Sequence, residues 1–281
     1  TYTFIADYLP TANSDAMEHR NSTVLTARGG IGSPAERINR LGSVAHEFFH
    51  AWNVERIRPR SLEPFDFTDA NVSGDLWLAE GVTNYYGALV LQRAGLVPLE
   101  VTLDRFSRVI NTTTLGVGRQ LRSVVEMSQM APYTDAATAI DPTNFDNTFI
   151  SYYVWGEAIG LGLDLALREY TGNQRSADDY MRALWQRFGK PGGMPVGFVD
   201  FPYTPFEVRE VLGDVAQSDA FAEDFFSRYI DGRGVIDYEA LLRLAGIAVQ
   251  QVNPTAPLLG ANVFDSGLLV VRMTNYGDPL H

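Results

Sequence analysis

Five consecutive residues, His46-Glu47-Phe48-Phe49-His50, have the types and spacing of a metal hydrolase centre. On a helix, residues four apart stand one turn above the other, so the imidazoles of His46 and His50 converge on one ion, with Glu47 beside it. Two imidazoles and a third protein ligand hold zinc with one position left for water. The pKa of that water falls to about 7, and a neighbouring carboxylate can take its proton. A third ligand is available thirty positions after His50: Glu80, in Trp77-Leu78-Ala79-Glu80-Gly81, a carboxylate early in another apolar helical stretch. A His2Glu set is associated with catalytic zinc, the structural sites being closed by a fourth protein ligand. The chain has four histidines, His19, His46, His50 and His281, and a random scatter rarely places two of them four apart around a glutamate. The expectation is one zinc ion per chain, held by His46, His50 and Glu80, with Glu47 as the base.

The elements that must position these residues follow from pattern and punctuation. Ser33-Pro34 starts a helix expected to run to about Trp52, with Pro59 closing the segment. The Glu80 helix runs to about Ala94 and ends at Gly95, and Asn84, one turn after Glu80, is placed to hydrogen-bond a ligating imidazole. Tyr2 to Tyr8 and Ser22 to Thr26 alternate as strands. Between them lies the polar stretch Ser14 to Asn21, either a solvated strand end or an edge strand that pairs with an extended peptide while Glu18 receives its ammonium group. Arg56, Arg58 and Arg60 either line the cleft mouth or form a solvated face.

Beyond the Glu80 helix the chain is α-rich. Two amphipathic helices fill Leu99 to Met130, broken near Thr114 to Gly118, and Ala131 to Asn147 is loop. A long helix runs from Ser151 to Tyr170 and stops at Gly172. Ser176 with Asp179 and Thr204 with Glu207 are capping boxes, separated by a loop from Gly189 to Tyr203. Helices near Asp219 to Tyr229 and Tyr238 to Leu244 complete the lobe. After Gly246 short β-like runs, Val249 to Val252 and Gly267 to Met273, announce a second domain.

Bulk numbers exclude several classes. The chain has 281 residues, a formal charge of −12 and 46% hydrophobic residues, a composition for a globular protein and not for a nucleic-acid or anionic-membrane binder. Without cysteine there is no disulfide framework and no thiolate ligand. The best candidate for a membrane span, Gly156 to Leu167, is broken by Glu157 and Asp164. Residue 1 opens directly on a strand-like stretch with no signal-peptide pattern, so the chain reads as a fragment or mature product, with any targeting segment upstream and the compartment, bacterial periplasm or cytoplasm, left open.

Several separated motifs together resemble the glycyl aminopeptidase family of gluzincin metallopeptidases: His46 to Val54, Arg56-Ile57-Arg58-Pro59, Trp77 to Gly81 and Tyr85-Tyr86-Gly87. The resemblance implies an α+β fold: a thermolysin-like catalytic domain over residues 1–246, with a small β-rich N-terminal subdomain and a mostly helical C-terminal lobe. Residues 247–281 are then the start of a PDZ-like β domain, cut short. It implies His46, His50 and Glu80 as zinc ligands, Glu47 as general base, and a peptide with a free N-terminus as substrate. Tyr153-Val154-Trp155-Gly156 is similar to the Tyr-x-Lys-Gly element of related aminopeptidases, which gives Tyr153 the task of hydrogen-bonding the tetrahedral oxyanion. Tyr152 is its neighbour to test, and Trp155 replaces the lysine. Met17 to Asn21 resembles the family's exopeptidase strand, in which Glu18 holds the α-amine. Asp15-Ala16 stands where that family has Gly-Gly, which bears on the preference for small first residues such as Gly or Ala. The implied activity is zinc-dependent aminopeptidase. The rivals are a zinc endopeptidase of the same fold, another zinc hydrolase, and a catalytically idle peptide-binding module.

Overall fold

The computed structural model describes residues 1–135, 144–190 and 198–250, and the backbone of two further strands. The polypeptide is mixed α+β, mostly helical, with a small three-stranded sheet at its start. Strands β1 (Thr3–Tyr8), β2 (Asp15–His19) and β3 (Ser22–Ala27) are ordered β1-β3-β2, with β1 parallel and β2 antiparallel to the central β3. β3 alternates half-buried and buried residues, setting Thr23, Leu25 and Ala27 inward, as a strand with one covered face requires. The polar stretch that contains Glu18 is therefore a strand, and it lies at the sheet edge.

Helix α1 (Pro34–Phe49) begins with a complete capping box: the Ser33 hydroxyl accepts from the Glu36 amide, and the Glu36 carboxylate accepts from the Ser33 amide. It ends at Phe49, three residues earlier than the periodicity suggests, because the chain turns through Ala51–Trp52 into a loop closed by bonds such as Ile57 N to Trp52 O, 2.7 Å. A π turn (Trp77–Gly81) leads into α2 (Val82–Arg93), which terminates as expected at Gly95, φ +68°. Helices α3 (Leu99–Leu115) and α4 (Val124–Gln129) follow, then the short α5 (Ala131–Thr134) at the start and α6 (Phe145–Thr148) across the end of the segment expected to be loop. Helix α7 (Tyr152–Tyr170) is the central element of the helical lobe, with apolar residues buried on most of its circumference. Helices α8 (Ala177–Leu184), α9 (Pro205–Ala216), α10 (Asp219–Phe225) and α11 (Tyr238–Leu244) surround it. Both expected capping boxes, Ser176 with Asp179 and Thr204 with Glu207, are present.

At the C-terminal end, strand β4 (Ala261–Asp265) pairs antiparallel with β5 (Leu269–Thr274). The second strand overlaps the run expected between Gly267 and Met273 and extends one residue past it. The expected run from Val249 to Val252 is not a strand at its first two residues, and its last two lie outside the described residues. Among the described residues no helix is long and apolar enough to cross a membrane.

Helix α7 and the π turn approach closely in the core. A Cβ added to Gly81 would lie 2.3 Å from the Gly156 Cα, and one added to Gly156 would lie 2.2 Å from the Trp77 carbonyl oxygen. Only glycine on both sides permits this contact. It sets the first turn of α7, with Tyr152 and Tyr153, beside the turn that carries Glu80.

Candidate metal centre

His46 and His50 occupy the last turn of α1 and its C-terminal cap. Their Nε2 atoms lie 3.0 Å apart, and Oε2 of Glu80 lies 3.2 Å from each. The π turn adds a residue to the helical repeat there, a device that recurs where a helix must aim a functional side chain. His50 is buried, while His46 and Glu80 retain a narrow exposed edge.

The three atoms suit a cation. Zinc bonds of about 2.0–2.1 Å in a tetrahedral shell separate ligand atoms by about 3.3 Å, close to the edges of this triangle. Nδ1 of His50 lies 2.7 Å from the carbonyl oxygen of Asn53, to which it can only donate, so Nε2 of the neutral ring presents a lone pair to the triad. With both imidazoles neutral, the two nitrogens and the carboxylate form a net negative cluster that a cation would balance. Protonated imidazoles balance the carboxylate in the absence of a cation. Burial opposes the ionised form of Glu80, yet the facing imidazoles outweigh it and hold the carboxyl well below its usual range.

Glu47 is buried on the same helix face region, and its carboxylate oxygen lies within 4.8 Å of ligand atoms of both Glu18 and His50. Burial pushes the Glu47 carboxyl up to about 7; the imidazoles of His46 and His50 oppose the rise, and the charge of Glu18 adds to it. Glu18 is thus brought from the edge strand to within reach of Glu47 and His50. The start of the central strand β3 is tied to α1 by Tyr2, whose hydroxyl lies 2.9 Å from the Ser22 carbonyl and 3.3 Å from the Glu47 carbonyl.

Tyr153 and Tyr152 separate in their surroundings. Tyr152 is buried and its hydroxyl is bonded to Asp135. Tyr153 stands with its ring centroid 6.1 Å from that of His46 and lines a cavity of about 390 Å³ together with His46 and Glu47. Trp155, where the related element has lysine, is buried in the core.

Two expectations are corrected. Asn84 lines the cavity but bonds neither imidazole: Nδ1 of His50 goes to Asn53, and Nδ1 of His46 is buried without a hydrogen-bond partner. None of Arg56, Arg58 and Arg60, the arginines after α1, lines the cavity, and of the three only Arg60 is exposed; Arg56 and Arg58 are half-buried, and each holds a loop. Arg56 donates to the Arg20 carbonyl and to Asn21 Oδ1, both at 3.0 Å. Arg58 pairs with Glu63 at 2.9 Å and Arg60 reaches the Pro202 carbonyl at 3.1 Å.

Asn53 is the positioning residue that sequence reasoning missed. It is fully buried, and its Nδ2 donates to the Leu78 carbonyl at 2.7 Å, the Ala79 carbonyl at 3.2 Å and Thr83 Oγ1 at 3.0 Å. One side chain therefore joins the His46/His50 segment to the Glu80 turn. The available signal was an amide set among Phe48, Phe49, Trp52 and Val54, an apolar run in which asparagine is expensive without several partners. Asp135 gave no sequence signal.

Residues 39–159 match the family model described as M61 glycyl aminopeptidase. The chain resembles the glycyl aminopeptidases. The stretch similar to the glycyl aminopeptidase model contains His46, Glu47, His50, Asn53, Glu80 and Tyr153, whereas Glu18 lies before it. In fold, the chain is similar to the crystal structure of an aminopeptidase N family protein from Idiomarina loihiensis, with a TM-score of 0.82 and 24% sequence identity over 98% of this chain and 48% of that one. It spans about half the length of that relative. The comparison with curated proteins returns no match.

Proposed function

We propose that the chain is the catalytic part of a zinc-dependent aminopeptidase that hydrolyses the N-terminal bond of peptides, favouring a small first residue such as Gly or Ala. The observation that carries this reading is the convergence of His46 Nε2, His50 Nε2 and Glu80 Oε2 beside the buried Glu47. In this reading residues 1–246 form a thermolysin-like gluzincin unit. The β4–β5 pair belongs to a PDZ-like domain that begins at residue 247.

His46, His50 and Glu80 would hold the zinc, which supplies Lewis acidity to the substrate carbonyl and to water. Glu47, poised near neutrality by burial, takes a proton from the attacking water and returns it to the departing amine. Tyr153 donates a hydrogen bond to the carbonyl oxygen as charge develops on it, a contribution of about 2.7–4 kcal/mol per donor in comparable sites. Burial and the neighbouring Glu80 charge raise the Tyr153 phenol far above its usual range, so it remains a donor at neutral pH. Glu18, close to Glu47, offers the second charge between which a substrate ammonium is stabilised. That clamp distinguishes removal of a terminal residue from cleavage within a chain.

The test is hydrolysis of aminoacyl reporter substrates by the zinc-loaded protein and two variants. Glu47→Gln should retain the metal and lose about 10²–10⁴-fold in turnover. Glu18→Ala should keep turnover and lose the preference for a free over an acetylated amine. Full activity in Glu47→Gln would refute the assigned base; equal use of acetylated peptides by the parent protein would point to an endopeptidase.

A further inference from the structure

The cavity beside His46, Glu47 and Tyr153 has a chemistry that the metal centre does not account for. Its walls near α1 and α2 mix the apolar or small Ile38, Gly42, Ala88 and Leu91 with the uncharged polar Asn39 and Asn84. Its α3 wall presents Val101, Thr102, Arg105 and Arg108, which share one helix face at i, i+1, i+4 and i+7. The protein carries a formal charge of −12, yet Glu47 is the only acidic side chain lining this space among the described residues.

The positions of the neighbouring groups fix which part of a substrate enters. Glu18, the amine clamp of the proposed function, lies by Glu47 and His50 and does not line the cavity. Tyr153 and His46 do. A peptide whose ammonium sits at Glu18 and whose first carbonyl lies over the triad therefore runs its second residue into this space.

Both guanidiniums have partners, and neither partner closes the cavity. Arg105 meets the buried Glu157 side-on, through Nε at 2.5 Å and Nη2 at 2.7 Å, which leaves Nη1 out of the pair. Arg108 bonds Asp104 in an exposed pair one turn apart on α3, a weak kind of interaction readily exchanged for a better-placed carboxylate. Arginine presents a planar fork that a carboxylate can engage with two parallel bonds.

We infer that this cavity is a carboxylate-selective subsite for the residue following the scissile bond, read by Arg108 and Arg105. The inference rests on the aminopeptidase reading for its register. The shared chemistry is a carboxylate, and it has two sources: an acidic side chain at the second position, or the terminal carboxylate of a dipeptide.

The experiment measures kcat/KM of the zinc-loaded protein for Ala-Glu-Ala-amide, Ala-Gln-Ala-amide and Ala-Lys-Ala-amide, and for Ala-Ala against Ala-Ala-amide. The expected result is at least a tenfold preference for Glu over Gln in the first set or for the free dipeptide in the second, identifying the source. Arg108→Met should reduce that preference at least fivefold while its kcat/KM for Ala-Gln-Ala-amide stays within twofold of the parent. Arg105 is unsuited to the test because its removal strands the Glu157 carboxylate in the core. Rates within a factor of two across both sets would overturn the subsite and leave the peptidase reading intact. If no peptide is cleaved, the peptidase reading fails by itself, and binding of the reduced-amide analogues of Ala-Glu and Ala-Gln, each as its C-terminal amide, together with that of Ala-Ala and Ala-Ala-amide, decides the subsite. Tenfold tighter binding of the carboxylate-bearing member of either pair supports it, and equal affinity in both pairs overturns it.

Discussion

The carbonyl oxygen of Asn53 accepts a 2.7 Å hydrogen bond from Nδ1 of His50, while the amide of the same residue grips the turn that carries Glu80. Orientation of one member of the triad and placement of another thus depend on a residue outside it. The strain of the loop is taken up immediately afterwards: Val54, β-branched and buried, has φ +95°.

Replacing Asn53 with leucine removes the donor to three buried acceptors and should cost about 1–3 kcal/mol of stability. Zinc affinity should fall about 10–100-fold, as for residues that orient metal ligands. Urea unfolding of the metal-free protein and a chelator-competition titration measure the two effects separately. A loss of stability with unchanged affinity would confine Asn53 to a packing role.

Arg56 links the 50–57 loop to the β2–β3 turn through the Arg20 carbonyl and Asn21. Its loss should release the strand carrying Glu18 without reaching the His46–His50–Glu80 triangle. Arg56→Met is therefore expected to raise KM for free-amine substrates about fivefold, the equivalent of about 1 kcal/mol, with kcat and zinc affinity nearly unchanged. A fall in zinc affinity as large as that of Asn53→Leu would show that the loop supports the metal centre itself.

Asp75 is buried at the start of the Glu80 segment, and burial pushes its carboxyl up to about 6, opposed by a hydrogen bond from the Ser61 hydroxyl. The folded protein holds this proton more tightly than the unfolded chain. The resulting contribution to stability is complete below the unfolded pKa near 4, falls as pH rises, and is lost above about 6. Asp75→Asn should gain on the parent protein by about 3 kcal/mol between pH 4 and pH 7. Urea midpoints of both proteins across that range give the difference, and parallel pH profiles would contradict the assigned burial effect.

The legibility of the sequence follows the range of the interactions. His46, His50 and Glu47 are separated by one helical turn, and the capping boxes at Ser176 and Thr204 by three residues, so local pattern sufficed for both. Their convergence with Glu80 also followed a pattern, because a carboxylate early in an apolar helix has few other uses. What escaped depended on tertiary partners. Asn84 has the right spacing on α2 to serve an imidazole, but the loop after α1 folds back and delivers the Asn53 carbonyl to His50 first. Arg56, Arg58 and Arg60 have the composition of a solvated run; Arg58 finds Glu63 within its own loop, while the approach of the β2–β3 turn and of the segment at Pro202 gives acceptors to Arg56 and Arg60. The early end of α1 has the same origin, since Ile57 and Asn53 provide bonds that another helical turn would forbid.

The central claim is that His46, His50 and Glu80 grip one divalent ion. Its most direct test is metal analysis of the purified protein after equilibration with zinc and removal of the excess, beside Glu80→Gln and His50→Ala handled identically. The account predicts one zinc per chain in the parent protein and little or none in either variant. Stoichiometric zinc that survives both substitutions, or no bound zinc in the parent, would contradict it.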